Sequence, residues 1–587
     1  MDSFARGSIG NIRLNFTLLP FIHKQLGTRP MAPEQNGSLT NGHLALQYFT
    51  NRHKFTRQFA EYLNDDPPPT KILFFHGDGG NGKSLLLKFL LENCCKRFVP
   101  KIWQQLKTKS DDEFTAIIEK DELNDYITTI PAAILDIGQP SIEEDKPQDR
   151  FYGLLMLRRK LAIVASKLGC KLKFPRYDFA CVWYLHEKGK SLAEINKLFP
   201  PEEMELIGAL VDALEHSVLA NVVRAALNTL TKHLGQKVIL FWKKWGVDEQ
   251  WLTQLKTMEL ETELMDTLPH WFAQDLNATM KNDDVLKRIV LFFDTYEAFW
   301  GHEHNLPEEK FFYRDEWLRR LLGDLDLSTG IVVVVAGREK PRWAESPKFP
   351  ILPEKVDTQL VCHLSDADAI VYLQNANIFD AGLQQALIKY ASVKPNEVHP
   401  FFLSLCADVV LVAKRRGTTL NAVDFAAIPG INVKSRELTN RLLRYVDKEI
   451  EYAIHALSAC RTFNRKLYFI LGDALHFNAT PTTFDIIAQF SFVWHSQSEE
   501  GETWYRIHDL LRRLYHKHSD VTKTEAHAIL EQHYREQEKV ADAIYHRFYQ
   551  NQERGIEEWN EVFITADNQR NEELCRTLQK IRNELGF

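Results

Sequence analysis

The stretch Lys71-Ile-Leu-Phe-Phe-His-Gly-Asp-Gly-Gly-Asn-Gly-Lys-Ser84 decides the fold. It opens as a short apolar run of strand size and closes as a Gly-rich turn, after which a helix is expected to start at Leu85. From Gly77 onward it matches G-x-x-x-x-G-K-[ST] at every fixed position. Gly77, Gly79, Gly80 and Gly82 let backbone N–H groups turn inward as an anion nest, with Asp78 and Asn81 as the intervening residues. The helix beyond Ser84 presents its positive end to phosphate. Lys83 is placed to reach β- and γ-phosphates, and the Ser84 hydroxyl to hold Mg²⁺.

Four further apolar runs read as buried parallel strands: Ala132 to Ile137, Ile289 to Phe293, Ile331 to Ala336 and Leu360 to Leu364. An amphipathic helix is expected over 48–64, closed by the turn from Asn64 to Pro69. Strands alternating with helices predict an α/β fold, a doubly wound parallel-sheet P-loop NTPase domain. A long helical insert, about 141–285, interrupts it. There Leu154, Leu157, Leu161, Val164 and Leu168 recur at helical steps, with Gly169 as the stop. A second insert helix is expected from Pro201 towards Gly235.

Residues 1–47 read as an arm and linker, 48–364 as the NTPase domain and 365–435 as a helical lid. Residues 436–520 mix helices with a hairpin around the turn Ser496 to Gly501, the pattern of a winged helix. Residues 521–587 read as a helical, TPR-like tail, with Tyr534, Ala541 and Tyr545 at repeat-like spacing.

Two strand ends carry further chemistry. Asp294 leaves a buried strand in Leu291-Phe-Phe-Asp-Thr-Tyr-Glu297, where a carboxylate faces the ligand edge of an α/β sheet. It is a candidate Mg²⁺ ligand, and Glu297 a candidate to orient or deprotonate water. Arg338 follows Ile331 to Ala336, where a cation can sense a γ-phosphate through charge-assisted hydrogen bonds.

These motifs together resemble the STAND and NB-ARC signalling ATPases. Phe49-Thr-Asn-Arg52 is similar to the family's entry segment, with Asn51 where Gly is common, and implies that Arg52 lies near the adenine. The Asp294 motif resembles the Walker B of the family, and Ala336-Gly-Arg338 its sensor. Val398-His-Pro400 resembles the lid motif, which implies that Pro400 packs near the adenine. Ile507-His508-Asp509 resembles the motif whose His contacts ADP phosphates and locks a closed state, which implies that role for His508. The resemblance implies ATP or ADP with Mg²⁺ as ligands, slow hydrolysis, protein partners and homo-oligomers in the ATP state.

Composition narrows the field. With 44% hydrophobic and 26% charged residues, the 587-residue chain is ordinary globular protein. A net charge of −7 argues against a general nucleic-acid partner. The eight cysteines show no CxxC pair, so reduced thiols of a cytoplasmic protein are expected rather than a disulfide framework. No apolar run approaches the ~20 residues that span a bilayer. Three functions therefore compete: a nucleotide-controlled conformational and oligomerisation switch in defence or regulation, an AAA-type ATPase that uses its winged helix on DNA, and a non-hydrolysing nucleotide-binding scaffold. The DNA reading is the weaker, because residues 480–490 contain no Lys or Arg. The intact Lys83, Ser84 and Asp294 argue against the scaffold.

Overall fold

The computed structural model describes residues 52–119, 121–139, 146–170, 172–190, 195, 249–283, 285–300, 307–415, 417–425, 448–488, 490, 493–497, 503–507, 512 and 521–587. The insert helix expected from Pro201, and His508 with Asp509, lie outside these residues.

Five strands form one parallel sheet: β1 (Ile72–His76), β2 (Ala132–Asp136), β3 (Ile289–Asp294), β4 (Ile331–Ala336) and β5 (Val356–Leu360). Their spatial order is β2-β3-β4-β1-β5, every pair parallel. The chain leaves β1 for the far edge, returns strand by strand to β1, and crosses to its other side for β5. The order therefore reverses beside β1, and the crevice beyond the carboxyl ends of β1 and β4 is the natural ligand site of such a sheet.

Side-chain alternation splits the core into two layers. Phe74, Leu135, Leu291, Phe293, Val333 and Val335 face one apolar cluster. Leu73, Phe75, Val290, Phe292, Val332 and Val334 face the other. Both β3 and β4 are buried along their whole length. Each fully buried Val or Phe there contributes roughly 1.5–3 kcal/mol.

The apolar pattern predicts the fifth strand at Leu360 to Leu364, and it lies instead at Val356–Leu360. It is an edge strand, with Leu360 exposed, so its polar Val-Asp-Thr-Gln-Leu pattern needs only one buried side. The apolar residues that follow serve otherwise. Val361 packs under the Gly77 turn, and Leu364 bridges Val398.

Helix α1 (His53–Asn64) covers the second face through Phe55, Phe59 and Leu63. Helix α2 (Lys83–Phe89) starts two residues earlier than expected, with Gly82 in the left-handed region at φ 83° as its N-cap. The first face is covered by insert helices α3 (Arg150–Lys167), α4 (Pro175–Glu187) and α5 (Met265–Asn282), and by α6 (Glu316–Asp324). Gly169 has φ 72° just beyond α3, as its stop requires. The fully buried Arg158 of α3 is held bidentately by Asp178 of α4, at 2.9 and 2.7 Å.

Beyond the sheet, α7 (Asp366–Asn375), α8 (Ala381–Ala391), the hairpin β6 (Ser392–Lys394) and β7 (Glu397–Val398), and α9 (Pro400–Arg415) follow. A capping box at Ser365 and Asp368 starts α7. Then come α10 (Lys448–Leu457), α11 (Arg465–Leu475), α12 (Pro481–Ile487) and the antiparallel pair β8 (Val493–Gln497) and β9 (Thr503–Ile507). These elements share one apolar core with Ala526 and Leu530 of α13 (Val521–Glu536). Helices α14 (Val540–Gln550), α15 (Gln552–Asn568) and α16 (Glu572–Leu585) pack around Tyr545, Trp559, Leu578 and Ile581.

The carboxy-terminal half is fastened to the insert by charge. Glu573 pairs with Lys146 at 2.5 Å, and Arg576 reaches Asp149 at 3.4 Å and Glu261 at 3.3 Å. Arg506 of β9 donates to the Gly138 carbonyl just beyond β2, at 2.7 Å. No helix among the described residues is long and apolar enough to cross a membrane.

Candidate nucleotide site

The loop from Gly77 to Ser84 sits at the carboxyl end of β1, inside the crevice at the order reversal. Gly77, Gly80 and Gly82 adopt φ of 146°, 86° and 83°, values that L side chains resist. Two of them also lack room. A Cβ on Gly77 would stand 2.5 Å from the Val361 carbonyl oxygen, and one on Gly80 would stand 2.6 Å from Cε1 of His399. Gly80→Ala is thus expected to destabilise the protein by about 1–3 kcal/mol and to weaken nucleotide binding about tenfold, read by thermal melting and by titration calorimetry.

Lys83 is buried and donates to the loop's own carbonyls at Gly77 (2.6 Å) and Asp78 (2.9 Å). Burial lowers its pKa, while the charges of Glu297 and Asp294 act in the opposite sense. Asp78 and Gly79 are exposed, Asn81 is buried, and Leu85 is half-buried in the first turn of α2. Asn81 donates its side-chain amide to the Val361 carbonyl at 3.1 Å.

Arg52 does something that no local motif suggests. Its Nη2 donates to the carbonyls of Asn81 (3.0 Å) and Cys362 (2.8 Å), so it ties the Gly77–Ser84 loop to the segment after β5. Burial pushes its pKa down to about 10.

At the end of β3, Asp294 is buried and accepts from its neighbour's backbone N–H at Thr295 (2.8 Å). The Ser84 side chain lies near enough to favour its charged form. Burial, then the charge of Asp136, push its pKa up to about 7, against the pull of Ser84. Asp136 is its register partner across β2 and β3. Motif reading misses Asp136, a lone acid at the end of an apolar run; the signal that marks it is that Asp136 and Asp294 end their runs alike. Lys88, one turn along α2 from Ser84, feels both carboxylates, although burial lowers its pKa overall.

Glu297 and Arg338 meet directly, Oε1 to Nε at 2.8 Å. The guanidinium lies over the loop, 3.7–3.9 Å from where a Gly79 Cβ would stand. The second carboxylate oxygen of Glu297 is buried and has no hydrogen-bond partner among the described residues. His399 packs on the loop from the lid side, within an aromatic group of His363, Phe401 and Phe402 at ring separations of 5.3, 6.5 and 4.5 Å. Pro400 is half-buried at the first position of α9. At the start of α9, His399 and Phe401 come closest to Gly80.

The donor set fits a magnesium nucleotide. Glycines at positive φ and a lysine suit phosphates; a hydroxyl near the buried Asp294 and the half-buried Asp136 suits a hard cation held by oxygen. Ser84 and Asp294 would hold the cation, with Asp136 adjoining them, and the cation would supply charge neutralisation at the phosphates.

No family model matches this chain, and no curated protein matches it significantly. A solved chain from a structure of Drosophila ORC bound to DNA is similar at 10% identity, over 86% of this chain and 96% of that one, with a TM-score of 0.24. A likeness of that size carries no argument about function.

Proposed function

We propose that the chain binds an adenine nucleotide with Mg²⁺ at the Gly77–Ser84 loop and works as a slow ATPase whose nucleotide state controls its conformation and assembly. The observation that carries this reading is the convergence of Lys83, the neighbouring Ser84 and Asp294, and the Glu297–Arg338 pair on one Gly-rich loop. Lys83 binds the β- and γ-phosphates. Ser84 and Asp294 orient the cation. Glu297 orients the attacking water and takes up its proton. Arg338 serves the γ-phosphate.

The Glu297–Arg338 contact gives slow turnover a physical basis. While Arg338 is paired, one Glu297 carboxylate oxygen is taken up by the guanidinium rather than by water. A γ-phosphate competes for Arg338 through stronger, doubly charged hydrogen bonds and releases the carboxylate. ADP offers no such competitor, so the two nucleotides select different arrangements of these two loops.

Domain coupling supports the switch. His399 links the loop to the lid, and Arg506 links β9 to the exit of β2, next to Asp136. We read α10 to α12 with β8 and β9 as the winged helix of a STAND-type protein, His508 as its phosphate-reading residue and α13 to α16 as the sensing tail for a ligand or protein. In the DNA-reading alternative, α12 would lie in the groove, yet it has no Lys or Arg and its Asp485 pairs with Arg465 at 2.5 Å.

Light scattering and turnover, measured together, test the switch. The expected result is a monomer with ADP, a larger assembly with ATPγS, and slow hydrolysis of ATP. Fast hydrolysis with one unchanging mass in both nucleotides would sink the switch and leave a motor-like ATPase.

A further inference from the structure

Tyr296 stands between Asp294 and Glu297 in the chain, and the nucleotide chemistry above leaves it unused. Thr295, at φ 55°, turns the backbone so that Tyr296 opens a short 3-10 helix and points inward. Its ring packs edge-on against Phe74 of β1, Trp300 and Trp343, at 5.7, 5.0 and 5.6 Å. Packing of that kind needs only a phenyl ring. The hydroxyl needs a separate explanation, because burying it is unfavourable unless its hydrogen bonds are made.

They are made twice over. The hydroxyl donates to Oδ2 of Asp315 at 2.5 Å and accepts from Nε1 of Trp343 at 2.6 Å. Asp315 is held in turn by Nε of Arg319 at 2.9 Å, and Arg319 donates to the Ser346 hydroxyl at 2.5 Å. Asp315, Trp343 and Arg319 are each no more than 1% exposed. Trp343 and Ser346 belong to the loop that begins at Gly337 and Arg338. That loop also rests on Tyr296 itself: a Cβ on Gly337 would stand 3.2 Å from the tyrosine Cβ. One buried hydroxyl thus joins the loop bearing Glu297 to the loop bearing Arg338.

We propose that Tyr296 is a positioning residue for hydrolysis, whose hydroxyl, bonded to Asp315 and Trp343, sets the height of the Glu297 loop against the Arg338 loop. It touches neither nucleotide nor water. It acts through the Glu297–Arg338 geometry, and so on the step that distinguishes ATP from ADP. The proposal rests on the nucleotide-hydrolysing reading of the site.

Tyr296→Phe keeps the ring and removes the hydroxyl. Three quantities are read on the full chain: ADP affinity, ATPγS affinity and the single-turnover rate of ATP hydrolysis. A purely structural tyrosine would shift the melting temperature and leave all three alone. The expected result is hydrolysis slowed about tenfold or more, an ATPγS-to-ADP affinity ratio changed several-fold, and ADP affinity within about twofold of wild type. Should Tyr296→Phe not fold, Trp343→Phe removes the other hydrogen bond and is expected to show the same split. Hydrolysis and affinity ratio both within about twofold of wild type would overturn the proposal, whatever the melting temperature does. A wild type that binds neither nucleotide would overturn the underlying reading and this proposal with it, and that failure shows in the wild-type sample before any variant is compared.

Discussion

Lys83→Ala is expected to weaken binding of both ADP and ATP by about 100-fold or more, which is at least about 2.7 kcal/mol. Lys83 is buried at the floor of the loop, and its ammonium already bridges the Gly77 and Asp78 carbonyls. Removing it takes away the cation that the proposed site offers to phosphates and a clip between the Gly77 and Asp78 carbonyls. Charge-assisted hydrogen bonds of this kind are about twice as strong as neutral ones. Fold stability should fall little, because burial already acts against the charged amine. Calorimetric titration checks the affinities. Wild-type-like binding by the variant would mean that the phosphates sit elsewhere.

Asp294→Asn is expected to move function and stability in opposite directions. The buried carboxylate lies beside Asp136, and both effects raise its pKa above the unfolded value. A raised carboxyl contributes its full stability below its unfolded pKa, about 4. As pH rises through about 7 that contribution is lost and the charged form becomes a cost. The amide removes that cost while still accepting from Thr295. At neutral pH, without metal, the variant should melt about 2 °C or more above wild type. With Mg²⁺ the order should reverse in function: ATP hydrolysis should drop about 100-fold or more, since the cation loses its anionic anchor. Melting curves and turnover on the same preparations check both halves. A variant less stable than wild type would show that the Asp136–Asp294 pair is not under strain.

Local chemistry makes much of this legible. The phosphate loop needs glycines at fixed positions, so Gly77, Gly80 and Gly82 declare their positive-φ backbone in the sequence itself. The continuous apolar runs of β3 and β4 are of strand length, and they form fully buried strands. Features that depend on distant partners are not legible. Asp136 matters because strand register sets it beside Asp294 across a long insert. β5 is half polar because it is an edge, and its neighbour Val361 looks like strand while serving as a prop for Gly77. His399 reads as a departure from a lid motif, and only tertiary packing brings its ring onto Gly80. The role of the Tyr296 hydroxyl has no sequence signal at all, since Asp315 and Trp343 carry no local sign of meeting it.

The most direct measurement is of what the protein carries when purified. Wild type and Lys83→Ala are isolated without added nucleotide, denatured, and the released small molecules are identified by chromatography. ADP released from wild type in equal proportion to protein, and none from the variant, is the predicted result. A wild type that releases nothing and then fails to bind added ADP or ATP would contradict a nucleotide site at Gly77–Ser84.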